Sequence, residues 1–143
     1  MRIRLVMLGK TRRPEIRALL DDYVQRIRHY AEVEISETRD NSGAAMRKLK
    51  IDPGATVILL DAAGKQHTSQ SFARWLGDLR DRGVRELCFY CGGAEGFPSE
   101  LSCGKTQRIS LSNLTMPHEF ARVVLAEQIY RAFAILSGHP YPK

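Results

Sequence analysis

The sequence lacks an apolar run that could cross a membrane. A bilayer span needs about 20 apolar residues, and no segment of this 143-residue chain approaches that length. Residues 1–8 are too short and too interrupted by arginine to be a signal peptide. We therefore expect no membrane contact and a cytoplasmic location.

Cysteine is scarce, with three residues in the chain. Cys88 and Cys91 form a C-x-x-C pattern, but no second pair completes the ligand set that a structural zinc site needs. Residues at this spacing in a strand point to opposite faces of the sheet. We expect buried thiols, which a cytoplasmic protein keeps reduced, and no metal site.

Two nucleotide-binding signatures are also missing. A Rossmann fingerprint requires correctly spaced glycines after a first strand and an acidic residue further on, where this chain has Asn113. Residues 9–11 and 104–106 both read Gly-Lys-Thr, the end of a P-loop. The earlier glycine of that motif is replaced by Arg4 in the first case and by Ser99 in the second. We expect neither segment to bind a nucleoside triphosphate.

The charge of the chain is unevenly distributed. The net charge is +6, and residues 1–50 hold twelve Lys/Arg against seven Asp/Glu, residues 51–100 five against seven, and residues 101–143 five against two. A polyanion such as a nucleic acid would suit the basic ends, and a solvated basic surface explains them equally well. The length and the ordinary composition indicate one domain, residues 1–143.

Apolar periodicity predicts alternating strands and helices. Strands are expected at residues 2–8, 32–37, 55–61, 88–91 and 106–111, with 62–66 as a loop. Helices are expected at 14–27, at 44–49, from a cap at Thr68 or Ser69 to Gly83, from Pro98 onward, and at 117–136. This order is typical of an α/β fold with a mostly parallel sheet.

Two stretches predict a ligand site. One strand runs into Gly92 and Gly93, where the backbone can approach a ligand because no Cβ intervenes. Residues 110–118 form a strand end, a polar loop and a helix start at Pro117. Both lie at the carboxyl ends of strands, where open α/β sheets bind ligands. The helix that follows is apolar on nearly every side, so we expect a second subunit to cover it.

Four motifs resemble those of a known family: 92–96 (Gly-Gly-Ala-Glu-Gly), 111–118 (Leu-Ser-Asn-Leu-Thr-Met-Pro-His), 125–131 (Leu-Ala-Glu-Gln-Ile-Tyr-Arg) and 139–141 (His-Pro-Tyr). The chain resembles the RlmH family, the SPOUT-class methyltransferases of the large ribosomal subunit RNA. This resemblance implies a SPOUT fold with a carboxyl-terminal trefoil knot, a homodimer, and S-adenosylmethionine as methyl donor. It implies as substrate a pseudouridine in the helix-69 stem-loop of 23S rRNA, methylated on N3 in the assembled ribosome.

The same resemblance implies which residues bind the donor. They are Leu60, Asp61, Gly93, Ser112, Asn113, Leu114, Thr115, Met116 and Pro117. Backbone N–H and C=O groups in such glycine-rich and serine-rich loops can read the edge of an adenine, while Leu60, Leu114 and Met116 would enclose its ring.

Catalysis requires an acceptor for the proton that pseudouridine N3 loses in attacking the methyl group. His118, beside the predicted pocket, is either a general base or substrate holder, or a helix-start histidine bonded for structure. His139 and Tyr141 lie on the tail, where the family match implies contact with substrate or donor. The tail departs from the family, because Pro142 and Lys143 stand where relatives commonly have a histidine and a basic residue.

Two alternatives stay open at this stage. Lys10, Arg12 and Arg13 of the first loop either contact ribosomal RNA or are merely solvated. The chain as a whole is either the methyltransferase or a ribosome-binding protein that retains the knot and the donor pocket without catalysis.

Overall fold

The structure, a computed structural model, describes residues 1–92 and 106–141. In chain order its elements are β1 (Arg2–Leu8), α1 (Pro14–Ile27), β2 (Glu32–Thr38), α2 (Gly43–Lys48), β3 (Thr56–Gln66), α3 (Ser69–Asp81), β4 (Glu86–Cys91), β5 (Thr106–Ser110) and α4 (His118–Ser137). The predicted alternation of strands and helices is confirmed over these ranges. The helix predicted from Pro98 lies outside the described residues, as does Cys103.

The strands form one parallel sheet in the order β2-β1-β4-β3-β5. The register is regular in its centre, where Leu5 pairs with Ile35 on one side and with Phe89 on the other. The mostly parallel α/β sheet predicted from sequence is therefore confirmed. Because all strands run the same way, their carboxyl ends meet at one edge. The trefoil knot stays a prediction, since the segment that joins β4 to β5 lies outside the described residues.

Helices cover both faces of the sheet. α1, α3 and α4 pack on the face that carries Phe89 and Cys91 of β4. α2 packs on the opposite face, where its Met46 joins Cys88 and Tyr90. The alternation of side chains along a strand explains this division, and it places the two cysteines on opposite faces, as predicted.

Local chemistry sets the ends of the helices. α1 begins at Pro14, whose fixed φ suits a first helical position. The cap of α3 is Thr68, whose side chain accepts a hydrogen bond from the Ser71 N–H in a capping box. Gly83 and Gly138 follow α3 and α4 with φ of 82° and 74°, a left-handed conformation that favours glycine.

One predicted loop is part of a strand. Residues 62–66 were expected as a loop, but they belong to β3. Leu60 and Lys65 both pair with Ile109 of β5, so the residues between them bulge out of the ladder. Gly64 lies against β5 so closely that an added Cβ would be 2.7 Å from its backbone. The prediction was wrong because a glycine after a strand is typical of a turn, and only the partner strand reveals the close approach.

Helix α4 packs against α1 and α3 and buries side chains on several sides, including Leu125, Ala126 and Phe133. Phe120 and Ile135 of the same helix keep 42% and 41% of their surface exposed. The cover of this surface by a second subunit stays a prediction. Among the helices of the described ranges, none is long and apolar enough to span a bilayer.

Alanine at Gly64 should destabilise the fold, whereas alanine at Gly77 should not. A Cβ added at Gly64 would lie 2.7 Å from the backbone of β5. A Cβ added at Gly77 would contact only the end of the flexible Leu136 side chain, at 2.9 Å. Alanine also favours a helix over glycine by about 1 kcal/mol. In urea denaturation we expect Gly64→Ala to lower the free energy of unfolding by roughly 1–3 kcal/mol, and Gly77→Ala to keep or raise it. Equal losses in the two variants would contradict the close approach at the bulge.

Candidate active site

A cavity of about 420 Å³ opens at the carboxyl edge of the sheet. Its walls come from the β3 bulge, the end of β4, the loop after β5 and the first turn of α4. It is lined by Leu60, Asp61, Ala62, Cys91, Gly92, Leu111, Ser112, Leu114, Thr115, Met116, Pro117, His118 and Ala121. A mostly apolar wall with a few polar groups and this volume is typical of a small-molecule site.

The structure brings most of the predicted site residues together. The predicted donor residues that line the cavity are Leu60, Asp61, Ser112, Leu114, Thr115, Met116 and Pro117, and His118 lies beside them. Asn113 is exposed and is not part of the wall. Gly93 lies outside the described residues, whereas its neighbour Gly92 lines the cavity.

Hydrogen bonds between near neighbours in the sequence shape the loop between β5 and α4. Ser110 Oγ donates to the Ser112 carbonyl at 3.1 Å, and Ser112 Oγ accepts the Leu114 N–H at 2.9 Å. Such serine turns fix the backbone locally. Leu114 keeps 79% of its surface exposed, and Pro117 then begins α4 as its N-cap. The loop therefore offers backbone groups and an unpacked apolar side chain at the cavity.

Asp61 is the ionised group of the wall. Its Oδ1 accepts the Ala63 N–H at 2.9 Å, and its Oδ2 accepts a bond from Arg108 Nη1 at 2.6 Å. The Ala63 N–H and then the Arg108 guanidinium hold the pKa of this carboxyl below its usual range. The sequence did not indicate Arg108, because it lies on β5 and meets Asp61 only through the β3–β5 pairing.

The two described cysteines do not supply a nucleophile. Cys91 lines the cavity and is 7% exposed, and Cys88 lies on the other face with no exposure. Burial raises the pKa of each thiol to about 12. Because the thiolate is the reactive form, both side chains act as apolar packing near neutral pH, in agreement with the predicted buried thiols.

A buried arginine ties α4 to the loop after β1. Arg122 is 1% exposed; its Nη1 donates to Thr11 Oγ1 at 2.8 Å and its Nη2 to the Leu8 carbonyl at 2.7 Å. Glu37 Oε2 lies 3.8 Å from Nη1. Burial lowers the pKa of Arg122 from its ordinary value, but arginine stays protonated in proteins. The sequence signal that we missed is a single charged residue inside an otherwise apolar segment, residues 120–126.

His139 and Tyr141 do not line the cavity of their own chain. The Tyr141 hydroxyl bonds to that of Tyr23 at 3.1 Å, and the Tyr141 ring packs edge-on against Tyr130 with centroids 4.7 Å apart. Tyr130 lies about three turns, or roughly 18 Å, beyond His118 along α4. The tail is therefore anchored on the core more firmly than its composition indicated.

A smaller cavity of about 190 Å³ lies between α3, α4 and the sheet. Leu111 lines both cavities. Polar groups that line the smaller cavity already have partners. Ser69 Oγ donates to Gln128 Oε1 at 2.9 Å across it, and His67 Nδ1 lies 3.1 Å from Oγ of Ser71, which is not part of the lining. Within residues 1–92 and 106–141, no group of three or more His, Cys, Asp or Glu could hold a metal ion.

Comparison with known proteins identifies the family. Residues 1–142 match the family described as "Predicted SPOUT methyltransferase". The chain belongs to the SPOUT methyltransferase family. Membership implies a methyl donor of the S-adenosylmethionine type, and the residues around the cavity are of the kinds that such a donor needs.

Close relatives share one name, "Ribosomal RNA large subunit methyltransferase H". The protein from Koribacter versatilis is 42% identical over 144 residues, which cover 99% of this chain and 97% of that relative. Those from Geotalea daltonii and Geobacter sulfurreducens are each 40% identical over 151 residues, which cover 99% of both chains. The resemblance to the RlmH family is thereby confirmed.

Proposed function

We propose that the protein transfers a methyl group from S-adenosylmethionine to N3 of a pseudouridine in the helix-69 stem-loop of 23S rRNA, in the assembled ribosome. The observation that carries the proposal is the cavity at the carboxyl edge, built mainly from the donor residues that the resemblance predicts. The names of the relatives support ribosomal RNA as the substrate, and the motif match supports the finer specificity. Such a substrate would place the protein in the cytoplasm, and the reaction needs no metal.

The cavity residues would hold the donor, whose sulfonium supplies the methyl group. Leu60, Leu114 and Met116 lie on the wall and would enclose the adenine, while the backbone of 112–117 would read its edge. The Asp61 carboxylate is oriented by its own partners and would accept a hydrogen bond from a donor amino or hydroxyl group. Such prior orientation limits the reorganisation that binding requires.

His118 would accept the proton that the target base loses, or hold that base in place. Its side chain is exposed at the cavity and makes no hydrogen bond with a described residue. An imidazole can accept a proton near neutral pH, and catalysis by proton transfer needs a group within reach of the reacting atom. A position at the wall with no hydrogen-bond partner among the described residues favours this role over that of a purely structural histidine.

His139 and Tyr141 would serve the cavity of a partner subunit in a homodimer. Within one chain Tyr141 of the tail packs on Tyr130, which lies roughly 18 Å from His118 along the axis of α4. Three large apolar side chains are exposed to 41–48% on helices α1 and α4: Leu19 (48%), Phe120 (42%) and Ile135 (41%). Such exposed apolar surface suits a two-fold interface. Such an interface would bring the tail of one subunit to the donor site of the other.

Methyl transfer to ribosomes tests the proposed function. Ribosomes that lack the modification should acquire label from methyl-labelled S-adenosylmethionine, and mass spectrometry of the nucleosides should find it on N3 of one pseudouridine in 23S rRNA. The altered tail, Pro142-Lys143, favours the alternative of a ribosome-binding protein. Saturable ribosome binding without any label in the RNA would establish that alternative.

Filling the cavity should weaken donor binding. Ala121 lies on the wall, and a phenylalanine there would occupy the space of the donor. Ala44→Phe is the matched control, because Ala44 is exposed on α2, which packs on the other face of the sheet. By calorimetry we expect Ala121→Phe to weaken donor binding by roughly tenfold or more, since overpacking costs about 1–3 kcal/mol, and Ala44→Phe to leave it unchanged. Wild-type affinity in a folded Ala121→Phe protein would place the donor elsewhere.

Mixed dimers should show whether the tail acts on the partner subunit. We expect little methyl transfer from Ala121→Phe, or from a protein lacking residues 139–143, when either is made alone. Co-expressed, the two should regain activity, because one site of the mixed dimer combines an intact cavity with an intact tail. Light scattering on each variant should return about twice the monomer mass of 16.2 kDa. Inactive mixed dimers of the correct mass would contradict the role of the tail across the interface.

A further inference from the structure

The loop between β1 and α1 exposes three basic side chains. Lys10, Arg12 and Arg13 are exposed, and Thr11 between them is buried. Among the residues that the structure describes, no hydrogen bond or ion pair engages the side chains of Lys10 and Arg12. The Arg13 guanidinium lies 5.6 Å from the centroid of the Phe120 ring. The positive charges of Lys10 and Arg12 therefore face the solvent.

Neighbouring carboxylates bind the backbone N–H groups of this loop and, within residues 1–92 and 106–141, form no ion pair with its basic side chains. Glu119 Oε1 accepts the N–H of Arg12 at 3.0 Å and that of Arg13 at 3.1 Å. Glu37 Oε2 accepts the N–H of Thr11 at 2.6 Å. The hydrogen bond from the Arg13 N–H is the main reason why the pKa of Glu119 lies below its usual range. The Glu119 carboxylate is therefore ionised at neutral pH and fixes the shape of the loop.

The loop is attached to the helical turn that carries His118. Glu119 follows His118 directly, and Arg122 lies one turn further on, with its guanidinium bonded to the Leu8 carbonyl and to Thr11 Oγ1. Both ends of the loop are thus bound to the first turns of α4, and its basic side chains stand at a set position relative to the cavity. A merely solvated surface would not require its loop to be held by a buried guanidinium and two carboxylates.

We propose that residues 9–13 bind the phosphodiester backbone of the RNA next to the target nucleotide, and that Glu119 is a positioning residue that holds the loop for this contact. The proposal rests on the proposed function for the identity of the RNA. Lysine and arginine contacts to phosphates fix the position and orientation of a nucleic acid without reading its sequence. Lys10 and Arg12 would therefore set where the backbone passes His118, so that the extruded base meets His118 and the donor held in the cavity.

A matched pair of charge-removing variants tests the contact. Lys10→Gln/Arg12→Gln removes two positive charges from the loop. The control, Arg82→Gln/Arg85→Gln, removes two positive charges from the connection before β4, at the amino edge of the sheet. Both of these arginine side chains are exposed, and neither is hydrogen-bonded or ion-paired to a described residue. We expect the loop variant to raise KM for ribosomes roughly tenfold and to lower the slope of log affinity against log salt by about 2. Its kcat and its affinity for S-adenosylhomocysteine should stay unchanged.

The control variant should stay within about twofold of the wild type in ribosome affinity, because its charges lie far from the cavity. Equal losses in the two variants would overturn the proposal and show a merely solvated basic loop. Co-sedimentation with ribosomes gives the same comparison without any chemistry. If the wild type binds ribosomes but transfers no methyl group, the proposed function fails while the loop contact is still tested.

A double-mutant cycle tests the role of Glu119. Glu119→Ala removes the acceptor of the two loop N–H groups, whereas Glu119→Gln keeps a carbonyl oxygen there. We expect Glu119→Ala to raise KM for ribosomes several-fold with kcat nearly unchanged, and Glu119→Gln to restore most of the loss. In the Lys10→Gln/Arg12→Gln background, Glu119→Ala should add little, because positions that act through one contact are not additive. A full additional loss in that background would overturn the positioning role.

Discussion

Leu60 and Lys65 of β3 both pair with Ile109 of β5, and this double pairing pushes the residues between them out of the sheet. The carboxyl edge of the molecule depends on that arrangement. The bulge turns Asp61 toward Arg108 and the cavity. Strand β5, which pairs with the bulged part of β3, continues into the loop that forms the opposite wall of the cavity. A bulge of this kind beside a site re-aims side chains that a regular strand would leave on its two faces.

A buried charge links this edge to the start of the chain. Placing the Arg122 guanidinium in the interior is costly unless its hydrogen bonds are made, and two of its nitrogens find the Leu8 carbonyl and Thr11. Loss of a hydrogen-bond partner that leaves a buried group unsatisfied typically costs about 1–3 kcal/mol, and more when the group is charged. The arrangement therefore restricts where the β1–α1 loop can lie relative to His118, and ordinary apolar packing would not specify that position. Stability and the geometry of the site depend here on the same contacts.

Sequence reasoning succeeded where structure follows from neighbouring residues. The strand at 2–8, the helix begun by Pro14 and the parallel sheet follow from local periodicity and from turn residues. Seven of the predicted donor residues line one cavity, because most of them lie in one continuous loop. The reasoning failed where contacts join distant parts of the chain. The continuation of β3 past Asp61 and the contact between Tyr141 and Tyr23 depend on partners that periodicity does not reveal.

We expect the cavity at the carboxyl edge to bind the methyl donor. Amide chemical shifts recorded during titration with S-adenosylhomocysteine would locate the bound ligand, because they report on this cavity and on the smaller one at once. Saturable changes should be concentrated at residues 60–62, 91–92 and 111–118, with residues 67–72 and 124–128 of the smaller cavity little affected. Changes centred on the smaller cavity, or none at millimolar ligand, would contradict this expectation.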